Sequence, residues 1–192
     1  MSVLSKQASI FTTMALAMTA CGGPRVDPPD VKLNPSPKDE YEITLTIQDS
    51  PRQIQAAQGS AQFDITNREC MPLKDKIAGI KPRSWFMLPV RFTRIRDNTF
   101  VGSILTDAIL DADYYSIGTC RWELTGVFAR FRVDKFDRVA IIDSENIIRE
   151  ESKTNFCPLV SYATTPCGSP TLITDVYRKE NFTVVMKPRK EK

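Results

Sequence analysis

The stretch that decides the fold is CRWELTGVFARFRV, residues 120–133. Before Gly126, large apolar side chains occupy every second position, at Cys120, Trp122 and Leu124. After Gly126 the alternation resumes one position out of phase, at Val127, Ala129, Phe131 and Val133. Because successive side chains of a strand point to opposite faces, an uninterrupted strand would bury Arg130 and Arg132. The sequence therefore predicts two half-buried strand segments joined by a β-bulge near Thr125 and Gly126.

The same period of two recurs over most of the chain. Apolar and polar residues alternate in 41–48, 61–66, 88–93 and 182–186. Pro89 predicts an edge position or a bulge, because proline has no N–H to donate to a ladder. Asp97 and Asn98 predict a turn into a returning strand over 100–104, and one helix is predicted around Ser144 to Ser152. About seven strands with closely spaced turns indicate an all-β fold, an antiparallel β-sandwich of immunoglobulin-like or transthyretin-like architecture.

The amino-terminal segment has the layout of a secretory signal peptide. Lys6 precedes a mostly apolar run over 10–20, which is too short to span a bilayer. Small residues then lead to Cys21, and this arrangement resembles the lipobox of bacterial lipoproteins, although Met18 stands where leucine is usual. The resemblance implies a lipid-modified Cys21 and, because Gly22 follows it rather than Asp, an outer-membrane location facing the periplasm. An ordinary cleaved signal peptide with a nearby cysteine is the alternative.

Four regions are predicted along the chain. Residues 1–20 form the lipoprotein signal peptide, and residues 21–39 form a flexible, disordered tether because their prolines and glycines cannot support a core. Residues 40–188 form the β-sandwich domain. Residues 189–192 form a basic tail, expected in solvent or, less favourably, near anionic lipid.

Composition excludes several classes of function. The 192 residues include no histidine, which removes Ser-His and Cys-His nucleophiles and every His-ligated metal site. No glycine-rich phosphate loop or nucleophile elbow is present. The chain carries 26 basic and 23 acidic residues, a balance that argues against nucleic acid as a partner. We therefore expect a protein that is not an enzyme and needs no cofactor or metal.

Apart from Cys21, four cysteines remain, at positions 70, 120, 157 and 167. An even number in an exported chain predicts two disulfides, for which three connectivities are possible. We favour Cys157 with Cys167, because the Pro-containing segment between them is short, and this leaves Cys70 with Cys120. A thiolate metal site is disfavoured, because no pair has the CxxC spacing.

The segment from Asp107 to Trp122 concentrates acidic and aromatic residues. Asp107, Asp111 and Asp113 suggest a calcium site, since hard cations bind clustered carboxylates, but turns between strands favour aspartate as well. Tyr114 and Tyr115 are either partner anchors or, as we favour, structural residues at a strand entrance.

The run D-x-x-L-D-x-D-Y-Y-x-x-G-x-C-x-W-E-L, residues 107–124, together with residues 97–100 and Glu69-Cys70, resembles a signature of small bacterial lipoproteins encoded beside secreted antibacterial effectors, notably type VI lipase effectors. The resemblance implies an immunity protein that binds such an effector and occludes its active site or its membrane-docking surface. A motif shared among proteins of differing specificity is expected to hold the fold. The structural residues it implies are Asp113, Tyr114, Tyr115, Gly118 and Trp122.

Partner contacts are then expected outside the motif, in the segments 71–84 and 146–170. Arg83 and Trp85 are the first candidates, because arginine and tryptophan dominate binding hot spots. A core position is the competing, and favoured, interpretation of Trp85. Two other functions remain open: a structural or assembly lipoprotein of an envelope machine, and an inhibitor of lysozyme.

Overall fold

The computed structural model describes residues 30–73, 84–159, 165–168 and 181–191. Within these residues the chain forms ten strands and two short helices. The strands are β1 Glu40–Gln48, β2 Ala57–Ile65, β3 Trp85–Arg91, β4 Thr93–Arg96, β5 Thr99–Leu105, β6 Trp122–Val133, β7 Phe136–Asp143, β8 Lys153–Pro158, β9 Thr165–Pro166 and β10 Asn181–Lys190. The helices are a 3-10 turn at Arg68–Cys70 and α1 at Ser144–Ile148. Neither helix has the length and apolar character needed to cross a membrane, and no other helix lies in the described part of the chain.

The strands form two five-stranded sheets that face each other. The β1 sheet has the order β4-β5-β1-β10-β8, and the β6 sheet has the order β3-β2-β6-β7-β9. All pairings are antiparallel except the short parallel contact between β7 and β9. The apolar faces meet in one core, where the rings of Phe131 and Phe182 cross edge to face at 6.1 Å. The predicted antiparallel β-sandwich is confirmed.

The structure has more strands than the seven or so expected from the sequence. Two of the additional strands, β7 and β8, carry a polar residue at an inward position, Arg138 and Asn155 respectively. Both side chains are almost fully buried, which interrupts the apolar alternation by which strands are recognised. The predicted helix is also shorter than expected. It ends at Ile148, and Glu150 then adopts a positive φ of 55°, which turns the chain toward β8.

The predicted bulge is confirmed. Gln62 of β2 pairs with Gly126, whereas Phe63 pairs with Leu124, so Thr125 has no partner on β2. The bulge restores the phase of β6, because Val127 and Ala129 are completely buried while Arg130 is exposed. The edge prediction for Pro89 is confirmed as well, since β3 is the outermost strand of its sheet.

Both favoured disulfides are present, Cys70–Cys120 and Cys157–Cys167. All four cysteines are buried. The first bond spans 50 residues and fastens the 3-10 turn to the chain just before β6, and the second spans 10 residues beside β8. The longer closed loop implies the larger entropic stabilisation of the folded state.

Two predicted boundaries need correction. Leu33 pairs with Ile109 in an antiparallel bridge, and the amides of Lys38 and Asp39 donate to the Asp107 carboxylate. The end of the predicted tether is therefore part of the domain, because proline prevents regular strand structure but not single hydrogen bonds. At the other end, Arg189 and Lys190 belong to β10 rather than to a free tail. They form salt bridges with Glu42 and Asp39 respectively.

The predicted signal peptide and Cys21 belong to residues 1–29, which lie outside the described residues.

Candidate protein-binding face

Trp85, one of the two predicted contact residues, is the first residue of β3. Its side chain is 50% exposed, so the interpretation as a core residue is wrong. The reason is positional: β3 lies at a sheet edge, and the alternation that buries Val90 inward turns Trp85 outward. Arg83, the other predicted contact residue, lies outside the described residues.

The aspartates of the central motif build turns. Asp113 Oδ1 accepts hydrogen bonds from the amides of Tyr115 and Ile117, at 3.3 and 3.1 Å. Desolvation alone would raise the pKa of Asp113, but the backbone amides of the turn outweigh it and lower the pKa below the ordinary value of 3.8. Asp111 Oδ1 accepts from the amide of Trp122 at 2.9 Å, which anchors the start of β6.

These contacts leave the calcium interpretation without support. Each of the three aspartates accepts hydrogen bonds from backbone amides at a different place, and Asp107 accepts them from Lys38 and Asp39. Across the part of the chain that the structure describes, no three acidic or cysteine side chains are grouped so that they could hold a metal ion.

The aromatic residues of the motif form the corner that leads into β6. The Tyr114 ring meets the buried Trp122 ring edge to face, with centroids 6.1 Å apart. The Tyr114 hydroxyl donates to the carbonyl oxygen of Leu110 at 2.6 Å, and desolvation raises the pKa of this hydroxyl. Tyr115 is half-buried and packs against the same core. Gly118 adopts a φ of 142°, which side chains rarely tolerate. These contacts fit the structural roles predicted for the motif.

The outward side of the β6 sheet offers a different kind of surface, which we call the outer face. It consists of the side chains of β2, β3, β6 and β7 that point away from the core. The strand register places Pro89, Ser60, Phe128 and Ile141 in one row across the four strands. Beside this row lie the exposed Met87 and the half-buried Val139. The centre of the outer face is therefore largely apolar, and Trp85 stands at its edge.

Charge is unevenly distributed along the outer face. Arg91 and Arg130 both pair with Gln58, one from each side, so two arginines stand in one row. At the opposite end, beyond the apolar row, Asp64 pairs with Glu123. The outer face therefore has a basic end and an acidic end, separated by its apolar centre.

At the basic end the outer face opens into a cleft of about 780 Å³. Five charged side chains line it, namely Arg52, Arg130, Arg132, Asp134 and Asp137. Two ion pairs are formed among them, Arg52 with Asp134 and Arg132 with Asp137. Arg130 has no salt bridge with any described residue, so among the described charges that line the cleft it is the one without an ionic partner. Exposed glutamines, including Gln55 and Gln58, supply further donors and acceptors.

This arrangement suits binding. Arginine and aromatic side chains around an apolar centre are the residue types that contribute most to protein–protein affinity. The outward position of Arg130 was predicted from the shift of phase after Gly126. The sequence did not indicate that Arg91, on another strand, shares a row with Arg130, because that depends on strand order.

We compared the chain with known proteins, and a function has to be inferred from the outer face because these comparisons found no match. No family model, curated protein sequence or solved structure matches the chain.

Proposed function

We propose that this protein is a lipid-anchored immunity protein on the periplasmic side of a bacterial outer membrane. It binds a secreted antibacterial effector and neutralises it by covering the active site or the membrane-docking site of that effector. The observation that carries the proposal is the outer face, where an apolar centre lies between Trp85 and the pair Arg91 and Arg130. A stoichiometric inhibitor needs such a surface and needs no catalytic group.

The rigidity of the outer face supports this role. Its four strands are joined by antiparallel ladders, which the bulge at Thr125 interrupts between β2 and β6, and β6 contributes twelve residues through its centre. The backbone of a preformed sheet does not have to be ordered on binding, which favours affinity. The two buried disulfides support an oxidising compartment, in agreement with export to the periplasm.

The test is a competition experiment between a deletion strain and its parent, which still secretes the effector. The deletion strain should lose survival in contact with the parent, and a plasmid with the wild-type gene should restore it. Complementation with Cys21→Ser at equal protein level should fail, because the inhibitor is then not held at the outer membrane.

Equal survival of deletion and parent strains would contradict the proposal. If the deletion strain instead showed an envelope or secretion defect without sensitivity, the assembly role would be favoured. If its only defect were sensitivity to added lysozyme, inhibition of lysozyme would be favoured.

A further inference from the structure

We infer that the cleft at the basic end of the outer face receives an acidic segment of the partner protein, with Arg130 as its main charged contact. The inference rests on the proposed function in so far as the partner is the neutralised effector. It adds the chemistry by which that partner is recognised.

Charge is the first argument. The three arginines and two aspartates that line the cleft leave one net positive charge, and both aspartates are already paired with Arg52 and Arg132. Arg130 is exposed and lacks a salt bridge with a described residue, while Arg91 lies two strands away in the same row. A guanidinium in this situation binds a carboxylate through two parallel hydrogen bonds.

Size and polarity favour a polypeptide segment over a free small anion. A volume of about 780 Å³ is that of a pocket for a ligand of several residues or a drug-sized molecule. The amides of Gln55 and Gln58 can both donate to and accept from a peptide backbone. The apolar row through Phe128 continues from the cleft, so an aliphatic or aromatic residue next to the acidic one has a place to pack.

The distribution of acidic groups argues against an anionic lipid surface. Asp64 and Glu123 lie at the far end of the outer face, away from Arg130. A uniformly anionic membrane would be attracted at Arg130 and repelled at these positions. A folded protein partner, in contrast, can place acidic residues against the basic end of the outer face and basic residues against its acidic end.

The inference is tested with a library of random displayed peptides selected on the purified protein. We expect the selected peptides to share an Asp or Glu next to an apolar residue. Arg130→Glu should weaken their binding by about tenfold to a hundredfold, as expected when one member of a charge pair is reversed. Lys187→Glu is the matched control: Lys187 is an exposed residue of β10 in the other sheet, and its reversal should leave binding at the wild-type level.

A second selection on Arg130→Glu should enrich Lys or Arg where the first enriched acidic residues, which a purely structural effect of the substitution could not produce. Arg130→Ala, with thermal melts of all variants, provides a milder change should the reversal impair folding. Selected peptides without acidic residues, or equal binding by wild type and Arg130→Glu, would overturn the inference. Arg130-dependent binding to phosphatidylglycerol vesicles in place of peptides would also overturn it, in favour of a lipid ligand.

The competition experiment separates this inference from the proposed function. A strain with Arg130→Glu should be sensitive to its parent, and a strain with Lys187→Glu should be protected. Full protection by Arg130→Glu in a background where deletion causes sensitivity would refute the cleft and leave the immunity role intact.

Discussion

Gly126 lies so close to Ile142 that a Cβ atom at position 126 would stand 2.9 Å from the Ile142 carbonyl oxygen. Backbone of β7 thus occupies the space that any side chain at position 126 would need. Glycine permits the ladder to continue directly after the unpaired Thr125, and the new phase turns Arg130 outward. The position of the proposed partner contact therefore depends on this close approach of two strands.

Gly126→Val should destabilise the domain by about 1–3 kcal/mol, the usual cost of overpacking a well-packed region. Urea denaturation followed by tryptophan fluorescence measures the change in the free energy of unfolding. Ser103→Val is the control, because Ser103 is an exposed residue of β5 and its substitution should change stability little. Equal effects of the two substitutions would show that the contact with Ile142 is not restrictive.

The two adjacent tyrosines should respond differently to loss of the hydroxyl. Tyr114→Phe removes the hydrogen bond to the Leu110 carbonyl and should cost about 0.5–1.5 kcal/mol. The Tyr115 hydroxyl is buried without a hydrogen-bond partner among the described residues, so Tyr115→Phe should be neutral or stabilising. Thermal melts of both variants provide the comparison, and a larger loss for Tyr115→Phe would contradict the arrangement of this corner.

Asp113 should contribute stability that depends on pH. Its pKa in the folded protein is lowered, so the unfolded chain takes up a proton first as the pH falls. The contribution is complete at pH values well above 3.8 and is lost as the pH falls through the lower folded pKa. Melting temperatures of wild type and Asp113→Asn should differ at neutral pH and converge in acid. A difference that persists unchanged at the lowest pH would exclude a charge-dependent role.

Trp85→Ala should impair protection without affecting folding. The side chain is 50% exposed, and hot-spot tryptophans contribute about 2 kcal/mol or more to binding, which corresponds to roughly thirtyfold in affinity. Survival of the deletion strain complemented with this variant should fall in competition with the parent. Ile95→Ala is the matched control, because Ile95 is an exposed apolar residue of β4 in the other sheet. Wild-type protection by Trp85→Ala would place the contact surface elsewhere.

Cys21 should carry the lipid. Cells labelled with radioactive palmitate should yield a labelled protein from the wild-type gene and an unlabelled one from Cys21→Ser. Cys70→Ser with Cys120→Ser is the control for loss of cysteine as such, since these two form a buried disulfide and should not affect labelling. Equal labelling of wild type and Cys21→Ser would refute the lipoprotein assignment.

Where side chains followed the period of two, local sequence was sufficient to predict structure. The burial of β1 and the bulge in β6 are both confirmed, because each depends only on which residues of a strand are apolar. β7 departs from that rule at Arg138, whose guanidinium is fully buried and donates to the carbonyl oxygens of Pro158 and Leu159 at 2.7 and 3.2 Å. Desolvation lowers the pKa of Arg138, and the carbonyl partners that offset the burial come from the end of β8. No local pattern could have indicated them.

By itself the sequence determined the class of fold and the outward direction of Arg130, whereas it left three disulfide connectivities possible and only favoured the one that the structure contains. The fold class and the direction of Arg130 follow from local sequence, because alternation and the bulge decide on which face of the sheet each side chain lies. Tertiary structure alone decided that Arg130 stands in a row with Gln58 and Arg91, and that Trp85 lies exposed at an edge. Neighbours across a sheet depend on strand order, which is set by the burial of both sheets in one core, and so the outer face exists only in the folded protein.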